Sequence, residues 1–80
     1  MQRSSNNIAS AFGCVLKQHR LAAGLSQEAL SFEAQIDRTF VSMLERGLRV
    51  PTLGVVLSLA GALNVSAAQL VEQVEKQLTV

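Results

Sequence analysis

No segment of this chain alternates apolar and polar residues in twos. Apolar side chains instead recur every three or four positions between Ile8 and Leu78. That spacing follows the 3.6-residue turn of an α-helix and argues against strands. Pro51 is the only proline, so little interrupts helix formation. The pattern predicts an all-α chain of five helices. Its 80 residues make one domain. A domain of this size buries roughly 60–65% of the surface its unfolded form exposes, which leaves a lone monomer marginal. Covalent help is absent: Cys14 is the single cysteine and His19 the single histidine, too few for an internal disulfide or a zinc site.

The first helix is predicted over residues 7–23, with Ile8, Phe12, Val15, Leu16 and His19 on one side and Gly24 just past its end. Ser26 opens the second as N-cap, with Glu28 in its first turn and Ala29, Leu30 and Ala34 on a small-residue face. Gln35 and Ile36 form a turn. Asp37 caps a third helix over residues 38–46, with Val41 and Leu44 inward and Gly47 at its end. Thr52 caps a fourth, whose inner stripe is read as Leu53, Val56, Leu57, Ala60 and Leu63, closed by a left-handed Asn64. This helix carries no charge. Ser66 and Gln69 have the form of a capping box for the fifth helix, striped by Leu70, Val71, Val74 and Leu78. Residues 1–7 are read as a flexible N-terminal segment and residues 8–80 as the folded domain.

The net charge is only +1, but its distribution is uneven: residues 1–49 carry +2 and residues 50–80 carry −1. The positive side thus belongs to the first three helices. The most apolar stretch, residues 53–65, is shorter than the roughly 20 residues a membrane span needs, and Gly54, Ser58, Gly61 and Asn64 interrupt it. No signal peptide is visible, so a soluble, cytoplasmic protein is expected. The sequence shows no catalytic carboxylate pair, Cys/His arrangement, phosphate-binding glycine loop or metal-ligand cluster. Neither enzymatic activity, nor a cofactor, nor a metal is expected. Glu72 and Glu75 read as a solvated face, and Cys14 as a reduced, small helix residue.

The informative stretch is residues 24–47, GLSQEALSFEAQIDRTFVSMLERG. Two short helices are joined by a tight turn, and the second presents polar side chains at its N-terminal end. A duplex reader needs that arrangement: one helix crosses the backbone, and the next lies in the major groove with its first turn against base edges. From residue 12 to residue 70 the chain resembles the Cro and phage-repressor type of helix-turn-helix proteins, also called the xenobiotic-response-element family. The resemblance is carried by GLSQExL at residues 24–30, DRTFVSxLERG at 37–47 and PTL at 51–53. The Asp-Arg-Thr-aromatic-aliphatic-Ser run is similar to the small controller proteins of restriction-modification systems. The resemblance implies a compact lambda-repressor-like fold and a regulator, repressor or autoregulator, that binds palindromic operator DNA as a homodimer in a bacterial or phage setting.

By position, the resemblance implies base contacts from Arg38, Thr39, Ser42 and Met43. It implies phosphate contacts from Gln27, Arg46 and Arg49, to which Ser26 and Lys17 are added. Gln27 would also brace the third helix, and Arg20 and Glu45 match a structural ion pair. Arginine at Arg38 can place two donors on guanine O6 and N7, and Thr39 can touch a thymine methyl. Three positions depart from the family: Gln35 where glycine is common, His19 where an aliphatic residue is usual, and Met43, which lacks polar reach. His19 reads as partly buried packing. Phe40 reads as packing with an edge near the DNA backbone, and Phe12 and Phe32 as core or shoulder residues.

An apolar content of 49% exceeds what one small core should need. Val55, Leu70, Val71, Val74 and Leu78 are therefore expected to include a two-fold interface. A dimer would set two recognition helices about one DNA turn, roughly 34 Å, apart. The competing expectation is a protein-interaction module, antitoxin-like or polymerase-binding, with a vestigial helix-turn-helix. Such a module would have no need of Arg38, Arg46 and Arg49 together on the outer side of the third helix.

Overall fold

Four of the five helices end in the same way. In the computed structural model, which describes residues 5–78, the order is α1 (Ser5–Ala22), α2 (Gln27–Ala34), α3 (Arg38–Glu45), α4 (Leu53–Leu63) and α5 (Ala67–Leu78). Each of α1 to α4 is followed by a residue at positive φ: Gly24 at 72°, Gln35 at 59°, Gly47 at 74° and Asn64 at 59°. At each, the next residue's N–H reaches back five residues to a last-turn carbonyl: Leu25 to Arg20, Ile36 to Ser31, Leu48 to Met43 and Val65 to Ala60. These are Schellman closures, which satisfy carbonyls the helix leaves unpaired. Gln35 adopts the left-handed backbone despite its side chain, a strain of about 1–2 kcal/mol.

The N-termini follow the sequence with one exception. Ser26 Oγ accepts from the Ala29 N–H at 3.0 Å and Thr52 Oγ1 from the Val55 N–H at 3.2 Å. Ser66 Oγ accepts from the Gln69 N–H while Gln69 Oε1 accepts from the Ser66 N–H, both at 3.0 Å, which completes the capping box. Asp37 stands at the N-cap of α3 in extended backbone, but its carboxylate makes no capping bond. Only its carbonyl accepts, from Phe40 and Val41. Of the segment expected to be flexible, Ser5 to Asn7 lie in the first turn of α1, and residues 1–4 are outside the described residues.

The core draws on every helix: Val15, Leu16, Leu30, Val41, Leu44, Leu59 and Leu70 are all fully buried. Helix α1 packs on α3 and α5, and α2 on α3 and α4. His19 joins α1 to α5, with its Nε2 2.9 Å from Gln73 Oε1. Two packing expectations are corrected. The inner stripe of α4 is Val56, Leu59, Ala60 and Leu63, whereas Leu53 and Leu57 are exposed. Phe32, read as core or shoulder, is 80% exposed, unlike Phe12 at 4%. Among the described residues no single helix is long and apolar enough to cross a membrane.

Candidate nucleic-acid interface

Helix α3 is held from inside by Val41 and Leu44, both without solvent exposure, with Phe40 half-buried against the same core. Helical periodicity then places Arg38, Thr39, Ser42, Met43 and Arg46 on the opposite face. Arg38, Thr39 and Arg46 are exposed, and Ser42 and Met43 half-exposed. The Arg46 guanidinium folds back along the helix, its Nε donating to the Ser42 carbonyl at 3.4 Å. Arg49 is exposed in the loop that follows.

The C-terminal end of α3 is clamped. Glu45 Oε2 accepts from Arg20 Nε at 2.6 Å, and Glu45 Oε1 accepts from Arg20 Nη2 and Gln27 Nε2, each at 3.0 Å. Arg20 Nη1 donates to the Leu25 carbonyl at 2.9 Å. One carboxylate on α3 therefore ties together α1, the first turn of α2 and the loop between them. The Arg20 and Glu45 side chains are only 10% and 4% exposed. Burial pushes the Glu45 carboxyl up, but hydrogen bonds from Arg20 and Gln27, with the charges of Arg20 and Lys17, outweigh it and hold the group below its ordinary range. The Arg20 guanidinium is raised, first by its hydrogen bond to Glu45 against the opposing effect of burial.

Arg20 and Glu45 thus form an ion pair, and Gln27 Nε2 donates to the same carboxylate. Ser26 sits beside Gln27 at the start of α2, exposed, with its hydroxyl oxygen used as a cap. Lys17 is exposed on α1, one turn before Arg20 and near enough to Glu45 to affect it. A residue the sequence reading did not single out is Gly13, buried where α1 crosses α3. A Cβ there would run into the carbonyl oxygens of Leu44 and Glu45. The clue was available: a glycine inside a helix costs about 0.8–1 kcal/mol relative to alanine, so it needs a packing reason.

The expected dimer residues separate. Leu70 (0% exposed) and Val74 (8%) belong to the chain's own core and have almost no surface left for a partner, a correction forced by the packing of α5 on α1 and α4. Val55 and Leu78 are half-buried against that core. Only Val71 is well exposed, at 45%. The large exposed aliphatics of α4 and the loop before it are instead Leu48, Val50, Leu53 and Leu57. Among the described residues no three His, Cys, Asp or Glu side chains converge as a metal would require.

Residues 16–70 match the helix-turn-helix family. The chain is 38% identical over 69 residues, 85% of each chain, to the control protein C.BamHI of Bacillus amyloliquefaciens. Among solved structures it is similar to the restriction-modification controller protein C.AhdI of Aeromonas hydrophila, with TM-score 0.76 and 42% identity over 78% of this chain and 94% of that one. It is also similar to the controller protein C.Esp1396I, solved as a tetramer in complex with its natural 35 base-pair operator, with TM-score 0.81 and 30% identity over 91% of this chain and 96% of that one. The chain belongs to the helix-turn-helix family of the Cro and phage-repressor type, and its relatives are restriction-modification controller proteins.

Proposed function

We propose that this protein is a transcription regulator that binds a palindromic operator as a homodimer, with α3 in the major groove. The observation that carries the proposal is the outer face of α3. Arg38 and Thr39 are exposed at its N-terminal end, and the other end is fixed by the Arg20–Glu45–Gln27 clamp. A reading helix has to be exposed toward the bases and rigid behind them, because base-edge hydrogen bonds tolerate little displacement. Among the described residues, the side chains of Arg38 and Arg49 make no hydrogen bond or ion pair with the rest of the chain.

Arg38 is assigned to a guanine edge and Thr39 to a neighbouring base or thymine methyl. Ser42 and Met43 lie deeper on the same face, Ser42 as a short polar contact and Met43 as an apolar one. Arg46, Arg49 and Lys17 supply charge to phosphates, and Ser26 and Gln27 present the start of α2 to the backbone. The competing protein-interaction reading leaves the exposed arginines of α3 without a role. A regulator of this kind works in the cytoplasm and acts by binding rather than by chemistry. Whether it lowers or raises transcription depends on where its site lies relative to the promoter.

The test is selection of binding sites from random DNA, followed by titration of the selected site with Arg38→Ala. Loss of one good base contact from each protomer, about 1–3 kcal/mol per half-site, weakens specific binding roughly 5- to 150-fold for each half-site. Helical content should not change. Enrichment of no site, or an Arg38→Ala variant that binds the selected site with unchanged affinity, would overturn the assignment.

A further inference from the structure

We infer that Asp37 is a further specificity-determining residue, whose carboxylate accepts a hydrogen bond from the N4 amino group of a cytosine beside the guanine assigned to Arg38. The inference rests on the operator-binding reading above and names a base which that reading leaves unassigned. Ser26, Thr52 and Ser66 each use the side-chain oxygen as a cap, accepting from a backbone N–H three residues on at 3.0, 3.2 and 3.0 Å. Asp37 holds the same position before α3, also in extended backbone, at φ −67° and ψ 138°. Aspartate is among the strongest capping residues. Yet among the described residues this carboxylate makes no capping bond and no other hydrogen bond or ion pair. Of these four caps, the open one stands at the reading end of the reading helix, where Asp37, Arg38 and Thr39 are exposed in succession.

A free carboxylate is costly in that setting. Arg38, Arg46 and Arg49 are exposed cations on α3 and the loop after it, suited to phosphates. The same phosphates repel an anion placed among them. No arginine of the group neutralises it, since Arg46 Nε donates to the Ser42 carbonyl and the side chains of Arg38 and Arg49 make no bond within the chain. A carboxylate only accepts hydrogen bonds, so in the groove it gains only where a base presents a donor. Guanine shows N7 and O6 there and thymine O4, all acceptors. Adenine sets its N6 donor beside the N7 acceptor. Cytosine shows the N4 donor alone, which makes it the base a carboxylate selects.

The spacing fits two neighbouring base pairs. Consecutive Cα atoms are about 3.8 Å apart, and successive bases on a strand are stacked at about 3.4 Å. Arg38 carries donors only and Asp37 acceptors only. Side by side, the two therefore sort a guanine from its neighbour by opposite hydrogen-bonding chemistry, and neither can replace the other.

The experiment is selection of sites from random DNA by wild type, Asp37→Ala and Asp37→Asn. Titration of the selected site follows, with each base in turn beside the guanine that Arg38→Ala locates. Wild type should prefer cytosine at that position by about fivefold or more. Asp37→Ala should bind all four bases there within about twofold while keeping the guanine preference. It should also bind random DNA more tightly, because a negative charge has left the backbone. Asp37→Asn should move the preference to adenine, whose N6 and N7 suit an amide. Both variants should keep the helical circular dichroism of wild type, since the carboxylate makes no bond within the fold. A merely structural role at the start of α3 would weaken every sequence alike and leave the base preference unchanged. Cytosine still preferred by Asp37→Ala, or not preferred by wild type, overturns this inference alone. Enrichment of no site by wild type overturns it together with the operator reading.

Discussion

Replacing Arg20 by methionine removes three hydrogen bonds at once and leaves the Glu45 carboxylate with Gln27 alone. The magnitude depends on how wet the site is. An exposed ion pair is worth about 0–1 kcal/mol, whereas breaking a buried one costs about 3–5 kcal/mol because a charge is stranded. With side-chain exposures of 10% and 4%, the pair falls in the second class. A domain of this length has a total stability of only about 4–12 kcal/mol, so Arg20→Met should consume much of it. Glu45→Leu should cost a similar amount, since it strands the guanidinium with only the Leu25 carbonyl. The double variant strands neither charge and should fall within about 2 kcal/mol of wild type. Urea denaturation of the four chains closes a double-mutant cycle with an expected coupling of at least about 3 kcal/mol. A single-variant loss below about 1 kcal/mol, with coupling near zero, would show a solvated pair and refute the clamp.

Acid provides an independent arm. The folded-state pKa of Glu45 is depressed, so its stabilising contribution is complete above the ordinary carboxylate range and is lost as pH falls through that range toward the folded value. The stability gap between wild type and Glu45→Gln should therefore be constant near neutral pH and close as pH drops below about 4.3. Arg20→Met should behave in the opposite way. Without its partner the buried carboxyl titrates above its unfolded value, so mild acid relieves the variant while leaving wild type unchanged.

Other consequences are more local. Gly13→Ala should destabilise the fold by about 1–3 kcal/mol through overpacking, read by thermal melting, because the new methyl meets two α3 carbonyls rather than a movable side chain. Gln35→Gly should raise stability by up to about 1 kcal/mol, the left-handed strain relieved less the added freedom of the unfolded chain; a loss would mean that the Gln35 side chain contributes contacts. Arg46→Ala and Arg49→Ala should weaken binding to specific and random DNA alike. Each should also reduce the slope of log affinity against log salt by about 1 per protomer, measured by fluorescence anisotropy.

What could be read in advance was whatever short stretches encode by themselves. The turn between α2 and α3, the caps at Ser26, Thr52 and Ser66, and the left-handed stop at Asn64 depend on a few neighbouring residues, and each lies where the sequence places it. The polar face of α3 was legible for a related reason. Arg38, Thr39 and Ser42 alternate with Val41 and Leu44, so the helix states its own orientation. Asp37 shows the limit of such local reading: the position was right, but the side chain does not perform the capping that its type suggests.

Helix α4 failed for the opposite reason. A helix with no charged residue and apolar side chains nearly all round carries almost no phase information, so Leu53 and Leu57 were as eligible for the interior as Leu59. The error carried over to the dimer residues. Once α4 is given the wrong inner face, spare apolar surface has to be sought on α5, where Leu70 and Val74 in fact complete the core. The glycines hold the missing phase, because glycine is costly in a helix unless something comes close. Gly13 marks the face of α1 that meets α3, whereas a Cβ at Gly61 would meet nothing within 4 Å and one at Gly54 only the Thr52 hydroxyl oxygen at 3.8 Å, so both lie on the outer side of α4. In a uniformly apolar helix, then, the residues that lack side chains are a better guide to its orientation than the apolar ones.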